Sequence, residues 1–248
     1  MLRDEYLRRL TDEAHVELYL SANDGARIYW PWRMHPPSEA NTKYRNSCEQ
    51  YIIDSDPLDE SVDTRDVLDT AYGLNAEVAS LVDVYQDCDG TVDSLLRGME
   101  IVDDHEFDGK LLLPLQQPYV KCYREIGEPD ELIGLGGLKD AQNKHRIKAT
   151  RELREYAGPD VWLHGFGWGP TDGLAKAIRQ EPGLLDSLDY STPMQSVDYT
   201  TSTPGDERMT VAAMQAAQQL VRDLREVSSY PRKATPEDLR PEGQESIV

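Results

Sequence analysis

The sequence predicts an α/β fold, a (β/α)8 TIM-barrel-like single domain, and three observations lead there. Seven short apolar runs recur along the chain, and helical patterns lie between several of them. The run starts fall 21 to 34 residues apart, the rhythm of βα units feeding a parallel sheet. At 248 residues the chain has an ordinary length for one such barrel. An open doubly wound sheet is the alternative architecture.

Taken in order, the N-terminal stretch "MLRDEYLRRLTDEAH" reads as a charged amphipathic helix rather than a signal sequence. The strand candidates are "VELYLSA" (16–22), "QYIIDSD" (50–56), "EVASLVD" (77–83), "KLLLPLQ" (110–116), "ELIGLGG" (131–137), "DVWLHGFG" (160–167) and "LLDSLDYS" (184–191). Each is too short for a typical helix. Helical patterns occupy 91–101 and 140–158, the second stopped by Gly158-Pro159. The eighth strand has only a poor candidate, "QSVDYTTS" (195–202), ahead of a long closing helix over 207–228. The domain therefore runs over 1–230, with a flexible polar tail over 231–248. No apolar run approaches the ~18 residues of a membrane span. A soluble, cytoplasmic protein with no membrane partner is expected, and a homodimer is left open.

A formal net charge of −20 ordinarily disfavours polyanionic partners, because the long-range field repels them. The acidity is spread along the chain, and 8 Lys stand beside 18 Arg, a balance associated with halophilic proteins. In molar salt the Debye length falls to ~3 Å, so local basic clusters matter more than global charge. Three cysteines, Cys48, Cys88 and Cys122, stand far apart without a C-x-x-C pair. Neither a disulfide framework nor a zinc site of ordinary spacing is expected.

A parallel barrel gathers its chemistry at the C-terminal ends of its strands. Those ends carry Asp54, Asp83, Gln116, the pair Gly136 and Gly137, the pair His164 and Gly165, and Asp189. Carboxylates accept from N–H groups, an amide donates to a carbonyl, and glycines let backbone approach a flat ring. The set suits a planar heterocycle. The double glycine fits neither G-x-G-x-x-G nor a P-loop, so it does not announce a dinucleotide or triphosphate.

The ordered motifs "IIDSD", "LVDVYQD", "LQQ", "GLGGLKD", "WLHGFG" and "LDSLDYSTP" resemble the strand-end motifs of tRNA-guanine transglycosylases and of their DNA-acting relatives of the DpdA type. The resemblance covers roughly residues 50–195 as scattered short motifs. It implies exchange of guanine in a nucleic acid for a 7-deazaguanine base, with no cofactor. On this likeness Asp189 is the nucleophile that forms a covalent glycosyl-enzyme, and Asp54 is the acid/base. Asp83 and Gln116 match the base-reading pair, Gly137 and Leu138 match a glycine-leucine step whose backbone contacts the base, and Trp162 aligns with an aromatic position that covers a ring face.

The family continues its first aspartate as Asp-Ser-Gly-Gly-Phe or Asp-Ser-Gly-Ala-Phe, whereas Asp54-Ser55 here runs into Asp56-Pro57-Leu58, without the stacking Phe. The zinc motif of the tRNA enzymes is also absent, so no metal is expected and DNA is preferred over tRNA as the polymer. A non-catalytic nucleic-acid-binding subunit of another transglycosylase is the alternative from a different class. Independently of the resemblance, Lys139, Lys144, Arg146, Lys148, Arg151 and Arg154 place six basic residues within sixteen positions after the double glycine. The first four are the candidate phosphate contacts.

Overall fold

The computed structural model describes residues 2–21, 28–55, 61–191, 193 and 207–228. Helix α1 (Leu2–Asp12) leads into strands β1 (Glu17–Leu20) and β2 (Trp32–His35). After α2 (Thr42–Arg45) the strands and helices alternate: β3 (Gln50–Ile53), α3 (Thr64–Leu74), β4 (Val78–Ser80), α4 (Cys88–Asp103), β5 (Lys110–Leu115) and α5 (Tyr119–Glu125). The series continues through β6 (Leu132–Leu135), α6 (Asn143–Ala157), β7 (Leu163–Gly165), α7 (Asp172–Gln180) and β8 (Ser187–Tyr190), and α8 (Glu207–Val227) follows. All neighbouring strands pair in parallel, and β8 returns to β1 to close an eight-stranded barrel. The closing register sets Tyr19 opposite Asp189 and Leu20 opposite Tyr190.

Local chemistry fixes several of these boundaries. Asp63 accepts from the backbone of Asp66 while the Asp66 carboxylate takes the Asp63 N–H, a reciprocal cap that starts α3. Asn75 ends the same helix in the left-handed region, at φ 51°. Asp87 caps α4 by accepting from Gly90 N–H. Gly158, at φ 91°, ends α6 where the Gly-Pro pair predicts a stop.

One strand differs from expectation. The sheet closes through the run at 184–191, and the eighth member is β2, "WRMH", lying between the first two predicted strands. Two of its four residues are ionisable, which hides it from a search for apolar runs, yet all four are buried. Tyr44 of α2 resolves the conflict. The His35 imidazole stacks on its ring at 4.4 Å between centroids, and the Arg33 guanidinium lies 5.1 Å from the ring centre. The candidates at 195–202 and the tail at 231–248 lie outside the described residues.

Leu18, Ile53, Leu113, Leu115, Ile133, Leu135 and Leu188, from five strands, are fully buried and join one core with Leu68, Leu95, Leu153 and Leu220 of the surrounding helices. Truncating any one of these leucines to alanine carries a cost of roughly 2–5 kcal/mol. No helix among the described residues is long and apolar enough to cross a membrane.

Candidate active site

A cavity of about 480 Å³ opens at the C-terminal ends of the strands, lined by Asp54, Asp83, Gln116, Gly136, Gly137 and Asp189 together with Phe166, Lys139 and Tyr85. Six residues picked from strand ends in the sequence thus share one wall. Asp54 follows the last residue of β3, and its N–H continues the ladder to His35 O at 2.9 Å. Its Oδ1 accepts from Ser55 N–H at 2.9 Å.

Asp83 stands three residues beyond β4 and is 6% exposed. Its Oδ2 accepts from Gln116 Nε2 at 2.5 Å, while Gln116 Oε1 accepts from the backbone N–H of Gln86 at 3.1 Å. A backbone donor on one side and a carboxylate on the other orient the amide without ambiguity. Asp83 Oδ1 is buried and has no hydrogen-bond partner among the described residues. Burial pushes this carboxyl up to about 6, against the lowering effect of the Gln116 hydrogen bond. A buried acceptor left empty beside a cavity is suited to an N–H donor that arrives with a ligand.

The double glycine serves Gln116 directly. A Cβ on Gly136 would fall 2.4 Å from Gln116 Nε2, and one on Gly137 would fall 2.5 Å from Gln116 Oε1. Gly137 also sits at φ 73°, where a side chain is strained. The tightest neighbour of the bare backbone is therefore the amide of Gln116, where the resemblance implies a ligand ring. Tyr119 Oη donates to Gly136 O and pins the same turn.

Asp189, the third residue of β8, is held from two directions through one oxygen. Its Oδ1 accepts from Gly167 N–H at 2.5 Å and lies 3.3 Å from His164 Nε2. Oδ2 has no hydrogen-bond partner among the described residues and Asp189 lines the cavity.

Four expectations need correction. Trp162 precedes β7 and lines a second cavity, of about 420 Å³, at the strand-start end of the barrel with Glu17, Gln50, Lys110 and Ser187. It cannot cover a ring bound at the opposite mouth. There burial pushes the Glu17 carboxyl up to about 7, and the Tyr19 hydroxyl lies 2.7 Å from both Glu17 and Gln50. Gly165 is a packing glycine, because its Cβ would meet Trp168 at 2.6 Å. Leu138 is buried, and its carbonyl accepts from Arg146 Nε at 3.0 Å. His164 is buried and belongs to the strand interior beneath Asp189.

The basic cluster also divides. Arg146 is 6% exposed and donates to the carbonyls of Leu138, Lys139 and Trp168, so it ties the loops after β6 and β7 together instead of meeting phosphate. Lys148 pairs with Glu152 on its own helix at 3.4 Å. Arg151 pairs with Glu181, and Arg154 with Asp186 at 2.6 Å. Lys139 and Lys144 remain exposed, and Lys139 reaches the cavity rim against Gly167.

Phe166 is a cavity residue absent from the strand-end candidates. A Cβ on Gly134 would fall 2.0 Å from Phe166 Cε2, so this glycine makes room for the ring. Alternation along β7 puts Phe166 on the same face as His164, and that period of two is a signal legible in the sequence. Tyr85 lines the rim with 43% of its surface exposed.

A possible metal-ligand group lies elsewhere, where atoms of Cys88, Asp89 and Glu125 come within 4.8 Å of one another. The Lys121 ammonium already stands 2.5 Å from Asp89 and 4.0 Å from Glu125, and burial raises the Cys88 thiol above its ordinary value. The cluster carries its own cation. No protein-family model and no curated protein matches this chain.

Proposed function

We propose that this chain is a DNA-guanine transglycosylase, exchanging guanine in DNA for a 7-deazaguanine base through a glycosyl-aspartate intermediate. One observation carries the proposal. Two carboxylates that the motifs assign to different roles, Asp189 and Asp83, line the same cavity, each with one oxygen engaged by the protein and one without a hydrogen-bond partner among the described residues. A nucleophile needs a tethered carboxylate with a free oxygen, and a base-reading group needs an empty acceptor.

In this mechanism Asp189 Oδ2 bonds to C1′ of the nucleotide as the C1′–N9 bond breaks. Guanine leaves with the electron pair and takes a proton from Asp54. The incoming base returns a proton from its N9–H to Asp54, and its N9 attacks C1′ and releases Asp189. Asp83 and Gln116 read the edge of the base, and Phe166 supplies the aromatic wall for which Trp162 lies at the wrong end. A base inside a duplex must be extruded to reach such a cavity, so single-stranded DNA is the faster substrate.

Exchange of radiolabelled guanine into matched single-stranded DNA, duplex DNA and tRNA tests the proposal at the salt concentration that keeps the protein folded. Incorporation is expected in order of decreasing rate from single-stranded DNA to duplex. Preference for tRNA overturns the DNA assignment. Binding without exchange on any polymer identifies a non-catalytic subunit.

A further inference from the structure

Below the cavity, a line of side chains runs down the β7–β8 seam from Asp189 towards the opposite end of the barrel. Asp189 Oδ1 stands 3.3 Å from His164 Nε2, His164 Nδ1 stands 2.8 Å from Ser187 Oγ, and Trp162 Nε1 donates to Ser187 Oγ at 3.0 Å. His164 and Ser187 are Cα partners across the strand pair, and both are buried.

The proton positions follow from which groups can donate. An indole N–H only donates, so Ser187 Oγ accepts from Trp162. The hydroxyl's single hydrogen then needs an acceptor, and among the described residues His164 Nδ1 is the one within reach. An imidazole that accepts at Nδ1 carries its proton on Nε2. That proton faces the carboxylate oxygen of Asp189, which accepts. Two aromatic rings flank the imidazole edge-on, Tyr19 at 5.8 Å and Phe166 at 4.9 Å between centroids. Every hydrogen in the line has one direction.

We infer that Trp162 and Ser187 fix His164 as the Nε2–H tautomer, and that His164 is a positioning residue that holds Asp189 by Oδ1 and so presents Oδ2 to the cavity. The tautomer follows from the hydrogen-bond line alone, whereas its consequence for turnover rests on the nucleophilic role proposed for Asp189. The inference gives Trp162 a function at the end of the barrel away from the base.

The test uses full-length protein labelled with 15N-histidine, read by two-bond proton–nitrogen correlation at pH 7.5. The chain has five histidines, and loss of one signal in His164→Gln assigns His164. The expected wild-type pattern is the Nε2–H tautomer, converting to a mixture in Ser187→Ala. A wild-type Nδ1–H tautomer, or an unchanged pattern in Ser187→Ala, overturns the inference. In the exchange assay, Ser187→Ala should lower kcat at least about tenfold with KM for the free base unchanged. His164→Gln, whose amide can still donate to Asp189, should retain more activity than His164→Leu. A rise in KM with kcat intact overturns the positioning role. Absence of exchange in the wild type removes the transglycosylase proposal by itself, and the spectra still decide the tautomer.

Discussion

The side-chain amide of Gln116 occupies the space that a side chain on Gly136 would need, with Nε2 only 2.4 Å from the site of a Cβ there. Gly136→Ala should therefore displace the amide from Asp83 and destabilise the protein by about 1–3 kcal/mol. In a Gln116→Ala background the same substitution should cost far less, a coupling that a double-mutant cycle of urea midpoints measures directly. Equal costs in both backgrounds would show that the glycine is required for some other reason.

Under the proposed function, Asp83 links stability to recognition. Its folded value is raised from 3.8 to about 6, so the folded state binds the proton more tightly than the unfolded chain. Its contribution to stability accordingly falls as pH rises from about 4 through about 6, and the cost is fully present at pH 8. Asp83→Asn should be more stable than the wild type at pH 8, by roughly 1–3 kcal/mol, with the difference vanishing below about pH 4. The same variant should bind free guanine more weakly, because the empty acceptor Oδ1 is replaced. Wild-type affinity for guanine should drop as pH falls below about 6. Melting curves and calorimetric titrations at pH 5 and 8 check both signs.

Asp189→Asn keeps the shape of the side chain and removes its charge. Base exchange should fall by at least about a thousandfold, no glycosyl-enzyme should be trapped by denaturing electrophoresis, and guanine affinity should change little. Retained exchange would remove Asp189 from the chemistry.

Arg146 and Lys144 should behave oppositely, although both belong to one basic run in the sequence. Arg146→Leu loses donors to three carbonyls and should lower stability by about 2–4 kcal/mol. Lys144→Glu, alone or with Lys139→Glu, should leave the melting temperature nearly unchanged while weakening binding of labelled single-stranded DNA and flattening its salt dependence. Fluorescence anisotropy over a salt series, with melting curves as control, separates the two residues. Unaltered DNA affinity in the double lysine variant would place the phosphate path elsewhere.

The amino-acid sequence by itself determined the βα rhythm, seven strands of the barrel, the stop of α6 at Gly158 and the strand ends that carry Asp54, Asp83, Gln116, Gly136, Gly137 and Asp189. These features are local, since apolar alternation, turn residues and strand polarity act over a few neighbours. Only the tertiary structure decided that β2 is a strand, because burial of Arg33 and His35 depends on Tyr44 from another element. It also decided the roles of side chains whose partners are distant in the chain. Trp162 and Asp189 lie in neighbouring motifs, yet strand polarity sends them to opposite ends of the barrel. Arg146 and Lys144 sit two positions apart on α6, but the helical turn buries one against backbone carbonyls and leaves the other in solvent. Sequence spacing records which residue types are near each other along the chain, whereas a side chain's chemistry follows from the face it occupies and the partners that folding brings to it.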